Sequence, residues 1–293
     1  MTTRLTIALL CVVTAALSYP WHSVAHRWAL GIAVAVLVLT LAWWRGYFLT
    51  DWVRGRVAIW RRNHRPQSTV PGARVAMVLE VTDGGHGDEV PLPVVAGFVD
   101  RFGVRCESVR VTFFDRDEGR RTWVSLVVDA ASNLGALQAR SSEIPLQQTA
   151  HTAARRLADQ LREAGLQVTQ LTDLDAADSP WQPGMREMWR TVEADEGYLT
   201  AYAGSATELP RWWERWTVLE FSREGLAEAV ALYTPGSPSR KVPGGLVAQN
   251  GRQRPLLEAM SPTSVQRLGI ESVEHEFAEE ADHSAEVVGL AQV

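Results

Sequence analysis

The chain has 293 residues, 46% of them hydrophobic and 22% charged, a globular composition with enough length for a sizeable core. Its net charge of −5 hides a division: residues 1–65 hold eight arginines and one acid, Asp51, whereas the rest of the chain holds 21 basic and 33 acidic groups. An acidic body repels a phosphate backbone, which argues against nucleic-acid binding, and two cysteines, Cys11 and Cys106, support neither a disulfide framework nor a metal-type spacing and read as small buried hydrophobes.

Residues 5–19 (LTIALLCVVTAALSY) and 28–44 (WALGIAVAVLVLTLAWW) contain no charged side chain. At ~1.5 Å per residue each run reaches only ~25 Å of a ~30 Å hydrocarbon core. The intervening PWHSVAHR has Arg27 as its one formal charge and can lengthen both helices, with Pro20 placed to turn the chain. Two other readings stay open. A soluble core hairpin is one, although helices apolar on every face are unusual there. A cleaved signal peptide is the other, with Arg4 as its basic start and Ala16-Leu17-Ser18 as a small-residue cleavage site. The arginines set the expected sidedness: Arg45, Arg54, Arg56, Arg61, Arg62 and Arg65 follow the second run against a single acid. Residues 1–44 are therefore expected to form a transmembrane hairpin in the inner (cytoplasmic) membrane, with the C-terminal domain in the cytoplasm.

Residues 45–66 are expected to form an amphipathic juxtamembrane helix. Phe48, Leu49, Trp52, Val53, Val57, Ile59 and Trp60 fall on one half of a helical projection, and Arg54, Arg61, Arg62 and Arg65 on the other, with Arg56 the exception. The candidate site residues are Trp43, Trp44, Arg45, Trp52, Arg54, Trp60, Arg61 and Arg62. They either lie at the lipid headgroups or form a docking face for a partner helix.

A linker, PQSTVPG, leads into a domain expected over 67–268. ARVAMVLEVT reads as a strand. LPVVAGFVDRFG then places Val94, Phe98 and Phe102 at helical spacing, with Gly103 as the stop. ESVRVTFFD and TWVSLVVDA alternate as a hairpin around the charged turn DRDEGRR. QQTAHTAARRLADQLREAG puts Ala150, Ala153, Ala154, Leu157 and Leu161 on one helical face and ends at Gly165, and LQVTQL follows as a strand. The expected class is α+β: two N-terminal transmembrane helices, then a cytoplasmic domain with a βαββαβ portion in ferredoxin-like order. Beyond Asp173 the pattern weakens. Residues 189–203 and 212–222 look extended, EGLAEAVALY suits strand or helix, and residues 234–245 have a connector's composition. Trp212, Trp213 and Trp216 read as packing rather than ligand stacking. Residues 269–293 carry seven acids and no Lys or Arg, and are expected to be a disordered tail.

Catalytic motifs do not emerge: there is no Gly-rich phosphate loop, G-x-S-x-G elbow or H-E-x-x-H. One loop invites a second reading, VTDGGHGDEVP, where Asp83, His86, Asp88 and Glu89 could make a membrane-tethered enzyme or a ligand or metal sensor; a solvated loop is the simpler account. No cofactor, metal or catalytic residue is assigned.

The two short apolar runs, the WWRG exit, the DWVRGRVAIWRR helix and the VRVTFFDRDEGRRTWVSLVVDA hairpin with its Ala-rich helix together resemble EccE, a membrane component of the mycobacterial type VII (ESX) secretion machinery. The compact size is similar to that of the member serving the system linked to metal acquisition. The resemblance implies a non-catalytic subunit of an inner-membrane complex with EccB, EccC and EccD, in which EccC holds the ATPase activity.

Overall fold

The computed structural model describes residues 10, 13, 28, 30–32, 34, 43, 44, 47–64, 73–82, 90–117, 119–138, 145–172, 178–205, 214–238 and 242–270. Most of both apolar runs, the small-residue site at 16–18, the linker and the acidic tail from residue 271 onward lie outside the described residues. Among the described residues, no helix is long and apolar enough to cross a membrane. The chain divides into two units, Met1–Pro66 and Gln67–Val293.

In the first unit, β1 (Trp43–Trp44) pairs antiparallel with β2 (Tyr47–Phe48), and α1 (Leu49–His64) follows at once. The last turn of α1 holds His64 and the cations Arg61 and Arg62, which suit the negative end of the helix dipole.

The second unit is built on one antiparallel sheet. Its first half comprises β3 (Arg74–Thr82), α2 (Leu92–Ala96), the short β4 (Asp100–Arg101), β5 (Val104–Arg116), β6 (Gly119–Asp129), α3 (Leu134–Gln138), α4 (Leu146–Glu163) and β7 (Gln167–Leu171). The second half adds β8 (Arg186–Glu187), β9 (Val192–Ala194), β10 (Gly197–Ala203), β11 (Glu214–Ser222), β12 (Gly225–Pro235), β13 (Val247–Ala248) and α5 (Gln253–Met260). Strand order is β7-β3-β6-β5-β11-β12-β10-β9-β8. The first four strands, β7-β3-β6-β5, are the sheet of the βαββαβ portion.

In a free βαββαβ unit β5 would be an exposed edge, open to pairing with any other strand. Here β11 covers it over eight residue pairs, from Val109↔Phe221 to Arg116↔Glu214, so the second half continues the same sheet. Apart from Glu224 in the preceding turn, EGLAEAVALY lies in β12, bonded to β11 on one side and β10 on the other. Pairing on both edges overrides the helix propensity of its Ala and Glu residues.

Two corrections concern the first half. Phe102 is not on a helix: α2 stops at Ala96, a single 3-10 turn covers Gly97–Val99, and Phe102 and Gly103 form a tight turn between β4 and β5. Both turn residues have positive φ, 57° and 72°. The β5–β6 turn is also much shorter than the charged run implied, because strand pairing continues to Arg116↔Gly119. Asp115 holds the charged residues in the strands, accepting from Arg120 Nε at 2.6 Å and from Arg215 Nε at 2.9 Å.

The sheet buries both faces. On one, Leu79, Val109, Val111, Val124, Leu126 and Val128 are fully buried with Ala150, Ala154, Leu157 and Leu161 of α4. Each such Val or Leu contributes about 1.5–3 kcal/mol. On the other face, Phe114, Trp123, Trp216, Val218 and Ala229 pack with Leu256, Leu257 and Met260 of α5. Phe114 and Trp216 stack at 4.1 Å between centroids, and Trp216 and Trp123 at 5.8 Å.

This second face also encloses a charge. The Arg110 guanidinium, fully buried, donates to Glu220 at 2.7 Å, to the carbonyls of Ala259 (3.1 Å) and Ser264 (2.9 Å), and to that of Gln266. Glu220 also accepts from the Leu268 amide at 3.3 Å. The pair thereby fastens residues 261–268 across the sheet after α5 ends. Burial lowers the Arg110 pKa, and Glu220 opposes that shift.

Candidate membrane and partner interface

Helix α1 presents an apolar stripe that its own unit leaves exposed. Trp52 (40% exposed), Val53 (46%), Val57 (52%) and Trp60 (60%) are open, whereas Ile59 is buried. Arg54 and Arg61 are exposed and Arg62 is half-buried. Arg56, the residue that broke the helical pattern, lays its guanidinium over the Trp52 ring at 5.3 Å from the centroid. That contact lets a cation sit on the aromatic half without isolating its charge. At the C-terminal end, the Trp60 and His64 rings lie 5.1 Å apart, and His64 Nδ1 is 2.8 Å from the Trp60 carbonyl. Trp52, Arg54, Trp60, Arg61 and Arg62 thus share one helix. Trp43 and Trp44 lie just before it in β1, and Arg45 is outside the described residues.

Among the earlier positions of the chain that are described, Leu10, Val13, Trp28, Ile32 and Val34 are helical, and all five side chains are exposed by 45% or more.

The loop containing Asp83, His86, Asp88 and Glu89 lies outside the described residues, as do Cys11, Trp212 and Trp213. Cys106 is buried, and its thiol is pushed up to about 12 by burial and then by the charge of Asp100. It therefore stays protonated and unreactive at neutral pH. His151 is exposed on α4. Trp216 packs in the core. Sequence reasoning missed α5, although Leu256, Leu257 and Met260 follow a helical spacing. It also missed a cleft of about 470 Å³ at one end of the sheet, where residues from five separate segments meet.

Comparison with known proteins bears on the whole chain. A family model described as "Putative type VII ESX secretion system translocon, EccE" matches residues 118–204, from the β5–β6 turn through α4 to β10. The ESX-3 secretion system protein EccE3 of Mycolicibacterium smegmatis is 39% identical over 97% of this chain and 100% of its own length. The chain belongs to the EccE family. The ESX-3 secretion system protein EccE3 of Mycobacterium tuberculosis is likewise 39% identical, over 90% of this chain and 86% of its own. With the M. smegmatis EccE protein, the shared length takes in the basic helix as well as the sheet, so α1 and the body belong together in this EccE chain.

Proposed function

We propose that this protein is a non-catalytic structural subunit of an inner-membrane type VII secretion complex of the ESX-3 kind. Residues 1–44 would cross the membrane twice, α1 would lie at the cytoplasmic interface, and the acidic body would be held against partner subunits, EccB, EccC and EccD on the family pattern. The observation that carries this reading is the α1 stripe. Trp52, Val53, Val57 and Trp60 are exposed beside Arg54 and Arg61, directly after two charge-free runs, in a chain of a secretion family. Tryptophans favour the headgroup level, and each arginine near an anionic surface is worth about 1 kcal/mol. The arginine excess after the second run supports a cytoplasmic body. Chemical work would fall to the EccC ATPase, and this subunit would supply position.

Purification of the tagged full chain from native membranes in mild detergent tests the reading. The expected product is a large assembly containing other type VII components by mass spectrometry, lost when residues 1–66 are deleted. A full chain recovered as a monomer with a bound metal or ligand would overturn it.

A further inference from the structure

The second face of the sheet packs against α5 at Leu256, Leu257 and Met260 but opens at one end. There the segment 179–185, the β5–β6 turn with Asp117, the β9–β10 turn formed by Asp195 and Glu196, the first residue of β11, Glu214, and the end of β12 ring the cleft of about 470 Å³. Antiparallel pairing requires this meeting: β5, β9 and β12 all end where β10 and β11 begin. Phe114 and Trp216 form its floor, and the half-buried Tyr233 stands in its wall.

The charge in the cleft is one-sided. Four carboxylates face one cation, Arg116, and Glu214 takes that cation at 2.9 Å. Asp117, Asp195 and Glu196 have no hydrogen bond or ion pair among the described residues. Two of the four carboxylates act on Tyr233, whose pKa is raised by burial first, then by the negative charge of Glu196 and Glu214. A concave site with low-dielectric walls strengthens such a field.

Arg116 shows what the cleft accommodates. Its guanidinium lies 4.9 Å from the Phe114 ring centroid while bonded to Glu214. Arg254 lies over Trp181, just beyond the cleft wall, at 4.8 Å, while bonded to Glu258 at 2.7 Å. A planar cation stacks on an aromatic face and bonds a carboxylate at the same time, a combination that an ammonium group meets less well. We infer that this cleft is a docking site for an arginine-bearing peptide segment of a partner protein, with Asp195, Glu196 and Asp117 receiving the guanidinium beside Tyr233. Occupancy of the cleft does not depend on how residues 1–66 meet a membrane, so its test and that of the anchoring role fail separately.

The test uses the full chain in nanodiscs of zwitterionic lipid, which do not attract a basic probe. The probe is fluorescein-labelled Gly-Arg-Gly-Arg-Gly-amide, read by anisotropy, with the lysine counterpart alongside. Asp195→Asn with Glu196→Gln should weaken arginine-peptide binding about tenfold or more, since loss of two charge-assisted contacts exceeds 1.4 kcal/mol. Asp159→Asn with Glu163→Gln on α4 removes the same charge from the opposite face and should leave binding unchanged. The lysine peptide should bind more weakly. Equal losses in both double variants, equal affinity for both peptides, no binding at millimolar peptide, or displacement of the peptide by micromolar calcium would each overturn the assignment. Unchanged thermal unfolding of the Asp195/Glu196 variant distinguishes lost contacts from lost fold.

Discussion

Tryptophan serves opposite ends in the two units. In α1, Trp52 and Trp60 are 40% and 60% exposed and stand among arginines, whereas Trp123 and Trp216 in the sheet are 0% and 3% exposed and stack on one another. In both places a guanidinium lies on an aromatic ring: Arg56 on Trp52 at 5.3 Å, and Arg121 on Trp123 at 4.9 Å. The difference is the surroundings. The sheet supplies Phe114, α5 and neighbouring strands to cover its rings, while in the first unit Trp52 and Trp60 stay exposed even with Arg56 and His64 lying against them. Buried rings hold this protein together, and the exposed rings are the ones the proposed function assigns to contacts outside it. Stability should therefore respond to changes in the sheet and association to changes in the helix.

The largest effect separating the two regions is expected from Trp216→Ala. Removing a ring stacked between Phe114 and Trp123 leaves a cavity and should cost about 3–5 kcal/mol in chemical denaturation. Arg110→Met should cost about 3 kcal/mol, because buried Glu220 is left with only the more distant Arg267, at 3.6 Å, and the Leu268 amide, and three carbonyls lose their donor. Changing both, Arg110→Met with Glu220→Leu, should recover most of that loss, and a double-mutant cycle would read the coupling. If the single Arg110 change proved neutral, the fastening of residues 261–268 would lose its support.

Asp115 offers a smaller, pH-dependent effect. Burial alone would raise its pKa, but hydrogen bonds from Arg120 and Arg215, and their charges, outweigh burial and hold it below the usual carboxylate range. A group depressed in the folded state contributes fully above its unfolded pKa and loses that contribution as pH falls through its folded pKa. Asp115→Asn should thus lower stability at neutral pH by about 1 kcal/mol or less and reduce the acid-induced loss, as followed by unfolding midpoints from neutral to strongly acidic pH.

Legibility of the sequence followed the same boundary between local pattern and distant pairing. Helix α4 was readable because Ala150, Ala153, Ala154, Leu157 and Leu161 mark one face without ambiguity, and Gly165, with φ of 92°, stops the chain there. The apolar alternation of β3, β5 and β6 was equally plain. Phe102 misled because its spacing from Phe98 fits a helix, whereas pairing of Asp100 and Arg101 with Arg105 and Val104 turns the chain at that point. The acidic cleft was not readable, since Asp117, Asp195, Glu196 and Tyr233 become neighbours only through pairing across β5, β11, β12, β10 and β9. In α1, Trp52, Val53, Val57 and Trp60 were readable from helical period as one exposed face, but Phe48 lies in β2 and Ile59 is buried.

The most direct measurement changes that stripe and leaves the sheet alone. Trp52→Ala with Trp60→Ala in the full chain should alter unfolding by less than about 0.5 kcal/mol, as exposed positions do. The same change should sharply reduce the amount of this subunit recovered with other type VII components in mild detergent. Unchanged recovery of the assembly would contradict the docking role of the stripe and leave its tryptophans to the lipid.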